Sequence, residues 1–365
     1  MRYNYFLSFI AEILVYQYEP FFKSIIMCTK HQCYIVPEHI LAALAKRGSV
    51  NCKRTLNDTR RILEKRNTLL NSLLQQELAI GKGDRFIYDC ENKFHQRVTL
   101  SLSEGDSSTK DATINNAYDT SGFVRDYFKD TFNLNSVNGE GLDLISNVHY
   151  GEKYNNAFWD GDEMTYGDGD QIDFKEFASA IDVVAHELTH GITQFMANLE
   201  YKGQPGALNE HFSDVFGTII KQKYLNQNLE DADWLIGDTI VTESFPGVAL
   251  RSMKAPGTAN DFDIQPDHMD NYYAGSQDHQ GVHINSGIPN KAFYLSCLEI
   301  GIDSCAIIWF ETLKFLWRTA NFNDMLDVLL TTTQILIDQK KVPNTALMVI
   351  KNSFVTVGLP QKALV

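Results

Sequence analysis

The sequence has little cysteine and a shortage of positive charge. Six cysteines in 365 residues, with no C-x-x-C pair, are too few for a disulfide framework. Cys297 and Cys305 lie in an apolar helical stretch, which favours two buried thiols over a disulfide between them. The 32 Lys and Arg residues face 46 Asp and Glu residues, and the net charge of −14 argues against nucleic-acid binding and basic membrane contacts.

The sequence also lacks a long membrane-spanning run, internal repeats and low-complexity tracts. Residues 4–26 are aromatic and apolar, but Glu12, Glu19 and Lys23 interrupt them, so no stable membrane insertion is expected. No small-residue site typical of signal-peptide cleavage follows. We interpret residues 1–26 as an extension upstream of a natural start at Met27, or as an atypical leader for export or anchoring. The composition, 44% hydrophobic and 21% charged, is otherwise that of a soluble globular protein.

The most informative feature that is present is the string VVAHELTH at residues 183–190, which contains an H-E-x-x-H pattern. On a helix, His186 and His190 stand one turn apart on one face, so both rings can bind one zinc ion. Glu187 lies beside them, where it can take a proton from a metal-bound water. The alternative is two surface histidines on an ordinary helix. It is disfavoured because the segment carries an apolar stripe at helical spacing, formed by Ile181, Val184, Leu188, Ile192 and Phe195.

A third ligand follows on a second predicted helix around residues 206–217. Glu210 and Asp214 share a face of that helix, and Glu210 can complete a His-His-Glu zinc site. Asp214 can orient a ligand histidine by accepting its other N–H. His211 points about 100° away from Glu210, so we predict that it is not a ligand.

Three segments, HELTHG, GALNEHFSDVFG and GVHINSGIPNKAFYL, occur in this order and closely resemble the thermolysin-like neutral metalloproteases. The resemblance runs from about Tyr88 to about Pro360. It implies an α+β fold with a β-rich N-terminal catalytic lobe over residues 83–178 and a mainly helical C-terminal lobe over residues 179–365. Zinc would lie in the cleft between the lobes. The residue pattern predicts two helices within 83–178 and, later, helices over Asn290–Ile300 and Ala306–Thr319.

The resemblance also implies which residues would stabilise the oxyanion and hold the substrate main chain. Tyr201 and His283 would donate to the oxyanion, and Asp278 would orient His283. Taken singly, these residues would be ordinary packing or loop positions; their matched order and context favour the catalytic interpretation. The residues that would bind the substrate main chain are Asn156, the Ala157 carbonyl and, on the primed side, Arg251.

An apolar pocket is implied next to the zinc site. It would favour a bulky apolar residue just after the cleaved bond, although such walls are also ordinary core. Its implied lining is Phe174, Phe177, Val183, Ile236, Ile240 and Leu250.

Calcium is where the sequence departs from the family pattern. Three acidic residues of the family's double calcium site remain, namely Asp182, Asp233 and Asp238, but Lys221 and Leu235 stand where carboxylates are expected. A lysine among three aspartates can replace the cation by direct ion pairs, which predicts that the double site is lost. The acidic residues between 160 and 170 lack the Gly and Glu of an EF-hand loop, so we interpret them as turns that bind cations weakly at most.

The run from Met27 to Leu41 resembles the start of the short propeptide in protealysin-like members. We therefore predict a propeptide over residues 27–82 that covers the cleft and leaves by cleavage near Gly81–Arg85, where Gly and Lys are exposed to nicking. Its predicted contacts are Val36, Pro37, Ile40 and Leu41. Secretion by a non-standard route is expected, and a cytoplasmic precursor is the alternative.

The sequence thus predicts a zinc endopeptidase made as a latent precursor, with peptides or proteins and its own propeptide as partners. The set of implied catalytic residues is complete, which argues against a catalytically silent binding or scaffolding protein on the same fold. A zinc aminopeptidase also uses H-E-x-x-H, but it needs acidic residues that bind a free amino terminus, and the sequence has no such signature.

Overall fold

The structure is a computed structural model that describes residues 33–69 and 81–359, without the side chains of residues 62–69. The interpretation of residues 1–26 and the position of Cys28 lie outside the described residues. Among the residues that are described, no helix combines the length and the apolar character needed to cross a membrane. The five described cysteines are all buried, and none forms a disulfide with another described residue.

The amino-terminal segment is one short strand followed by two helices, β1 (Cys33–Tyr34), α1 (Glu38–Lys46) and α2 (Val50–Leu69). Pro37 precedes α1 in an extended conformation, and its fixed φ suits the start of a helix. The apolar face of α1 is buried through Ile40, Leu41 and Leu44. Burial of each of these side chains is worth about 1.5–3 kcal/mol, so this face holds the segment against the rest of the protein.

A six-stranded mixed sheet follows, in the order β1-β5-β6-β4-β2-β3. The strands β2, β4 and β6 are parallel neighbours, and the other pairs are antiparallel. The strand β5 pairs with β1, so the amino-terminal segment forms one edge of the sheet of the catalytic lobe. The further strands of the sheet are β2 (Arg85–Asp89), β3 (Thr99–Ser103), β4 (Leu144–Val148), β5 (Ala157–Trp159) and β6 (Met164–Tyr166).

Only one helix, α3 (Ala112–Phe132), lies within residues 83–178, so the prediction of two helices there was wrong. Asp111 caps α3 by accepting from the backbone N–H groups of Thr113 and Ile114. The acidic segments that follow form turns instead of a second helix. In them, Asp160 Oδ1 accepts two backbone N–H groups and Asp170 Oδ1 accepts three, which is the local bonding that competes with a helix.

The carboxyl-terminal lobe is mainly helical. It consists of α4 (Ile181–Met196), α5 (Gly203–Tyr224), a two-stranded sheet of β7 (Leu235–Ile236) and β8 (Arg251–Ser252), a 3₁₀ turn (Met269–Asn271), α6 (Gln277–Asn285), α7 (Gly287–Ile300), α8 (Ile302–Leu313), α9 (Phe322–Asp338) and α10 (Ala346–Thr356).

The predicted helix over residues 306–319 has different bounds, because α8 begins at Ile302 and ends at Leu313. The apolar pattern runs on past the end of α8, since Leu316 is buried in the loop that follows. Asn321 and Asp324 then form a capping box that starts α9, so the chain must turn before residue 321.

The helices α4 and α5 lie at the centre of the molecule and are buried on almost every side. A glycine in each of these two helices lets it pack closely against its neighbour. A Cβ on Gly191 would lie 3.1 Å from the ring of Trp159, and one on Gly217 would lie 3.0 Å from the Asp182 carbonyl. These contacts fix α4 against β5 and against α5, and the residues predicted to bind zinc stand on the facing sides.

Candidate active site and metal centre

Three side chains from α4 and α5 converge on one point. Nε2 of His186 lies 3.0 Å from Nε2 of His190, one helical turn apart as the H-E-x-x-H spacing predicts. The carboxylate of Glu210 lies 3.4 Å from each of these nitrogens. All three residues are buried, and their donor atoms lie within 4.8 Å of one another. Of the two groups of three possible metal-binding residues in the described part of the chain, this is the one that contains histidines.

The second ring nitrogen of each histidine is held by a neighbour on α5. Nδ1 of His190 lies 2.8 Å from Oδ1 of Asn209 and 3.1 Å from Oγ of Ser213. Nδ1 of His186 lies 2.9 Å from Oδ1 of Asp214. Acceptors at both Nδ1 atoms place the ring protons there and leave the Nε2 lone pairs directed at the shared point.

The residues present fit a zinc ion. Oε2 of Glu210 is buried and accepts no hydrogen bond from the described residues, which is costly for a carboxylate oxygen unless a cation meets it. Two imidazoles and one carboxylate, with room for a fourth partner, are a donor set typical of catalytic zinc. His211 is not part of it, as predicted, because its two nitrogens are bonded to Asn290 and Trp309.

Glu187 lies beside the three donors and is fully buried. Its Oε2 accepts a hydrogen bond from the backbone N–H of Trp159 at 2.8 Å, while Oε1 has no partner among the described side chains and backbone. Burial raises the pKa of Glu187 to about 8, a direction that suits a group that must take up a proton. The positive charge of a metal ion nearby would act in the opposite direction and favour the carboxylate.

Tyr201 and His283 approach the same point from the other side of the cleft. The hydroxyl of Tyr201 donates to Glu210 and lies 3.2 Å from Nε2 of His283. Oδ1 of Asp278 lies 2.6 Å from Nδ1 of His283, so it orients the ring as expected. Burial alone lowers the pKa of His283, but the charges of Glu210 and Asp278 outweigh it and raise that pKa to about 9. This direction favours a protonated ring that can donate from Nε2.

The backbone around Asp278 has an unusual conformation. The four residues from Asp278 to Gly281 all have positive φ, before the right-handed turns of α6 begin. Such a conformation is unfavourable for residues other than glycine. The other oxygen of Asp278 accepts the backbone N–H groups of His283 and Ile284, which stabilises the turn and fixes Asp278 relative to the imidazole.

Asp214 does more than orient His186, and its further contacts were not predicted from the sequence. Its two oxygens accept three hydrogen bonds from Arg251 at 2.9–3.0 Å and one from Asn290 at 2.9 Å. Both charged side chains are almost completely buried. Burial acts to raise the pKa of Asp214, but Arg251 and His186 hold it well below its usual range.

The cleft contains the chain's own residues 34–36. The carbonyl oxygen of Tyr34 accepts from Nε2 of His283 at 2.9 Å, and the carbonyl oxygen of Ile35 accepts from Arg251 at 3.0 Å. Asn156 Oδ1 accepts from the N–H of Val36 at 2.9 Å, and its Nδ2 donates to the Val36 carbonyl at 3.1 Å.

The Ala157 carbonyl also binds this segment, because it accepts from the N–H of Ile35 at 3.2 Å. Asn156, Ala157 and Arg251 were predicted to bind a substrate main chain, and here they bind the amino-terminal segment instead. The run of four apolar residues before Pro37 is typical of a strand, but it does not indicate that this strand pairs with β5.

The six residues predicted to form an apolar pocket are all buried and belong to one apolar cluster with Ile35. Val36, Ile40 and Leu41, predicted as docking contacts, belong to the same cluster, and Pro37 is also buried. The members of the predicted pocket are Phe174, Phe177, Val183, Ile236, Ile240 and Leu250.

A set of polar residues that sequence reasoning missed holds α2 against the catalytic lobe. Ser49 donates to Asp173 at 2.7 Å, Cys52 Sγ lies 3.4 Å from Asp173, and Asn155 donates to Cys52 and to Asp170. We call these five residues the polar anchor. Burial raises the pKa of Cys52 to about 12, so it is a neutral thiol here.

The predicted degraded calcium site lies at the far ends of α4 and α5. Nζ of Lys221 donates to Asp233 at 3.0 Å, to Asp238 at 2.5 Å and to the Leu235 carbonyl at 3.2 Å. Asp182 is buried nearby and accepts from the backbone N–H of Gly237. Lys221 is thus ion-paired with Asp233 and Asp238 directly, whereas Asp182 acts on it only through its charge.

Comparison with known proteins agrees with this architecture. The family model of the thermolysin metallopeptidase catalytic domain matches residues 53–194, and that of the thermolysin metallopeptidase alpha-helical domain matches residues 197–359. An extracellular metalloprotease of Pectobacterium carotovorum subsp. carotovorum is 41% identical over 304 residues, which cover 80% of this chain and 87% of that protein. Protease PrtS of Photorhabdus sp. (strain Az29) is 38% identical over 313 residues, covering 79% of this chain and 83% of that protein.

A solved structure extends the comparison to the amino-terminal segment. The precursor of protealysin, a metalloproteinase from Serratia proteamaculans, is similar with a TM-score of 0.78 and 36% sequence identity. The match covers 90% of this chain and 99% of that one. The predicted two-lobed fold is thereby confirmed, and the chain belongs to the thermolysin-like M4 family, in its protealysin-like group, as a zinc metalloendopeptidase.

Proposed function

We propose that this chain is a latent precursor of a zinc endopeptidase that prefers a bulky apolar residue just after the cleaved bond. The observation that carries the proposal is the occupied cleft. His283, Arg251, Asn156 and the Ala157 carbonyl, which would hold a substrate's main chain, are bonded to residues 34–36 of the same chain. A substrate cannot use these groups until the segment leaves.

The proposed mechanism assigns a step to each group in the cleft. His186, His190 and Glu210 would hold a zinc ion, which would supply Lewis acidity for the scissile carbonyl and for a water molecule. Glu187 takes the proton of that water and passes it to the leaving nitrogen.

The charge that develops on the carbonyl oxygen is met by donors on the opposite wall. Tyr201 and His283 donate hydrogen bonds to it, and Asp278 keeps His283 in orientation. Asp278 already fixes the orientation of His283, whereas Tyr201 must turn its hydroxyl from Glu210 towards the oxyanion.

The proposed side-chain preference rests on the buried pocket. Its six apolar walls share one cluster with Ile35, the residue whose carbonyl is bonded to Arg251. Ile35 is completely buried in the same apolar core as these six residues, and surroundings of this kind favour a bulky apolar side chain in a substrate.

Latency is proposed to depend on residues 27–82. The helices α1 and α2 cover the cleft through the apolar face of α1 and through the polar anchor. Activation would follow cleavage near Gly81–Arg85, where Gly81 and Lys82 are partly or fully exposed.

Two further expectations belong to this proposal. We propose that Lys221 takes the role of calcium, so the double calcium site of the family is absent. We also propose that the enzyme acts outside the cell, as its extracellular relative from Pectobacterium does by name, with export by a non-standard route or after a cytoplasmic precursor stage.

The test compares the full chain with its matured form on casein. Limited proteolysis near residue 82 should raise peptidase activity many-fold, and a zinc chelator should abolish it. A folded, zinc-containing matured form that cleaves no peptide would contradict the proposal and favour a silent binding protein on this fold.

A further inference from the structure

The amino-terminal segment lies in the cleft in the direction and register of a substrate. The strand β1 runs antiparallel to β5, with Cys33 opposite Trp159 and Tyr34 opposite Phe158. Going along the segment, the Tyr34 carbonyl meets an oxyanion donor, and the Ile35 N–H then meets the Ala157 carbonyl. Each main-chain group from the Tyr34 carbonyl to the Val36 carbonyl has a partner on the catalytic lobes.

The position of the Tyr34 carbonyl indicates which peptide bond lies where the active site would cleave a substrate. Its oxygen lies 2.9 Å from Nε2 of His283, and that same nitrogen lies 3.2 Å from the hydroxyl of Tyr201. One proposed oxyanion donor, Nε2 of His283, is therefore bonded to the Tyr34 carbonyl, and the other, the Tyr201 hydroxyl, lies next to that nitrogen. The Ile35 carbonyl, one residue on, accepts a hydrogen bond from Arg251 at 3.0 Å instead.

We propose that the latent chain presents its own Tyr34–Ile35 peptide bond for cleavage and hydrolyses it slowly in the same molecule. This inference rests on the proposed function. Water adds to the Tyr34 carbonyl carbon, Glu187 takes the water's proton, and the bond from that carbon to the Ile35 nitrogen breaks. The Ile35 nitrogen accepts the proton and becomes a new amino terminus, while Tyr34 becomes a carboxylate. One water molecule is consumed, and no oxidant or other reactant is needed.

The side chains on either side of this bond lie in suitable environments. The ring of Tyr34 packs on Phe158 at 5.4 Å between centroids, in a small aromatic cluster with Tyr150 and Tyr154. Ile35 is completely buried in the cluster that contains the apolar pocket. The same enzyme should therefore prefer an aromatic residue before the cut bond and a β-branched apolar residue after it.

Cleavage at this bond would not by itself release the rest of the segment. Residues after Ile35 remain attached through α1, whose Ile40 and Leu41 are buried, and through the polar anchor on α2. The new amino terminus stays in the cleft, so the nicked chain remains inhibited. Slow turnover is expected because a product that is held in place also favours resynthesis of the bond.

The test follows the zinc-loaded full chain by intact mass and amino-terminal sequencing. A fragment that begins at Ile35 should accumulate, at a rate that does not depend on protein concentration, which identifies an intramolecular reaction. The Glu187→Gln chain should give none of it. Ile35→Leu should keep the cleavage, and the matched variant Ile35→Asp, which puts a charge into an apolar pocket, should lose it by at least tenfold.

A second readout requires no turnover. In the metal-free Glu187→Gln full chain, the amides of Ile35 and Val36 should exchange with deuterium as slowly as those of α1, since both donate to the catalytic lobes. Asn156→Ala should speed exchange at Val36 more than at Ile35. Fast exchange at both amides in the unsubstituted segment, with α1 protected, would overturn the proposed register.

The outcomes separate this inference from the proposed function. If the matured enzyme cleaves casein and a Tyr-Ile peptide while the zinc-loaded full chain stays intact at residue 34, the inference is wrong and the proposed function stands. Cleavage at Ile35–Val36 instead would also overturn the register. If the matured enzyme cleaves neither substrate, the proposed function itself fails.

Discussion

Two charge clusters lie along the same pair of helices, and they are completed in different ways. Near the middle of α4 and α5, two histidines and Glu210 converge with a carboxylate oxygen that no described group satisfies. At the far ends of the same helices, Asp233 and Asp238 accept hydrogen bonds from the ammonium group of Lys221, and the buried charge of Asp182 acts on it from nearby. The first cluster needs an ion from outside, and the second carries its cation on the chain.

The difference has a physical basis in what each cluster must do. A catalytic centre needs a cation with an open position, which a lysine cannot offer because its three donors are consumed by their partners. A structural cluster only needs its negative charges balanced, and Lys221 does this without depending on metal supply. An acidic cluster is therefore not by itself evidence of a metal ion, because a lysine within it can supply the positive charge.

The largest expected effect comes from separating metal binding from chemistry in the first cluster. Glu187→Gln should keep stoichiometric zinc and lose activity by about 10³-fold or more, because the base is removed while the three ligands remain. Glu210→Ala is the matched variant and should lose tight zinc binding as well. Metal analysis with single-turnover kinetics checks both. Near-normal turnover by a folded, zinc-loaded Glu187→Gln enzyme would contradict the mechanism.

The next largest effect is expected for Asp214, which neutralises the buried charge of Arg251 and orients the metal-binding residue His186. Asp214→Ala should weaken zinc affinity by about 10–100-fold, because His186 loses the acceptor that orients it. It should also lower the free energy of unfolding by about 3–5 kcal/mol, since Arg251 would keep its buried charge without a partner.

Asp214→Asn is the control that divides these two effects, because it keeps an acceptor for His186 but removes the charge opposite Arg251. Zinc titration and urea unfolding of both variants provide the measurement. Equal zinc affinity in Asp214→Ala and the unsubstituted enzyme would mean that His186 is oriented by another group.

A smaller effect is expected in the second cluster. Lys221→Met should lower the free energy of unfolding by about 2 kcal/mol, less than for a fully buried pair because the Asp233 side chain is 37% exposed. Calcium should recover part of this loss. Lys221→Glu should lose more stability without calcium and gain more with it, because it adds a fourth carboxylate.

Thermal unfolding with calcium or with a chelator checks this comparison. Identical melting temperatures for Lys221→Met in both buffers, at the level of the unsubstituted chain, would show that the aspartates need no cation at all.

The smallest expected effect concerns the positive charge of His149, which is lost at high pH. His149 is hydrogen-bonded to Asp168 at 2.9 Å and lies 3.2 Å from Asp111, and its pKa is raised to about 9, chiefly by the bond to Asp168. A raised pKa means that the stabilisation is complete below about 6.5 and is lost as pH rises through about 9.

His149→Gln should therefore cost about 1 kcal/mol at pH 6 and much less at pH 10, after allowance for partial exposure of this cluster. Urea unfolding at the two pH values checks the difference. A cost that is the same at both would indicate packing and not charge.

The metal ligands were accessible to sequence reasoning because they depend on local geometry. The positions of His186, Glu187 and His190 relative to one another follow from one helical turn. Glu210 required only the assumption that the next helix packs against α4. Asp278 and His283 lie five residues apart, so their contact is also local, although the left-handed turn between them gave no pattern of its own.

The contacts that sequence reasoning missed join distant parts of the chain. The Val36 backbone meets Asn156 across 120 positions, and Asp214 meets Arg251 across 37. Nothing in a strand's own residues specifies which sheet edge it joins, because main-chain hydrogen bonds are the same for every sequence. The end of α8 was predicted wrongly for a related reason. A buried residue in the loop after the helix extends the apolar pattern past the last helical hydrogen bond.

The place of β5 in the sheet has a consequence for the matured enzyme. While the amino-terminal segment is bound, β5 is an inner strand, and once the segment departs it becomes an edge with unpaired N–H and C=O groups. Unpaired edges invite other extended chains. Any peptide that enters the cleft would complete the ladder by β-augmentation, so most of its binding would depend on backbone that every protein possesses. If the segment leaves as proposed, the enzyme should accept extended, unfolded chains.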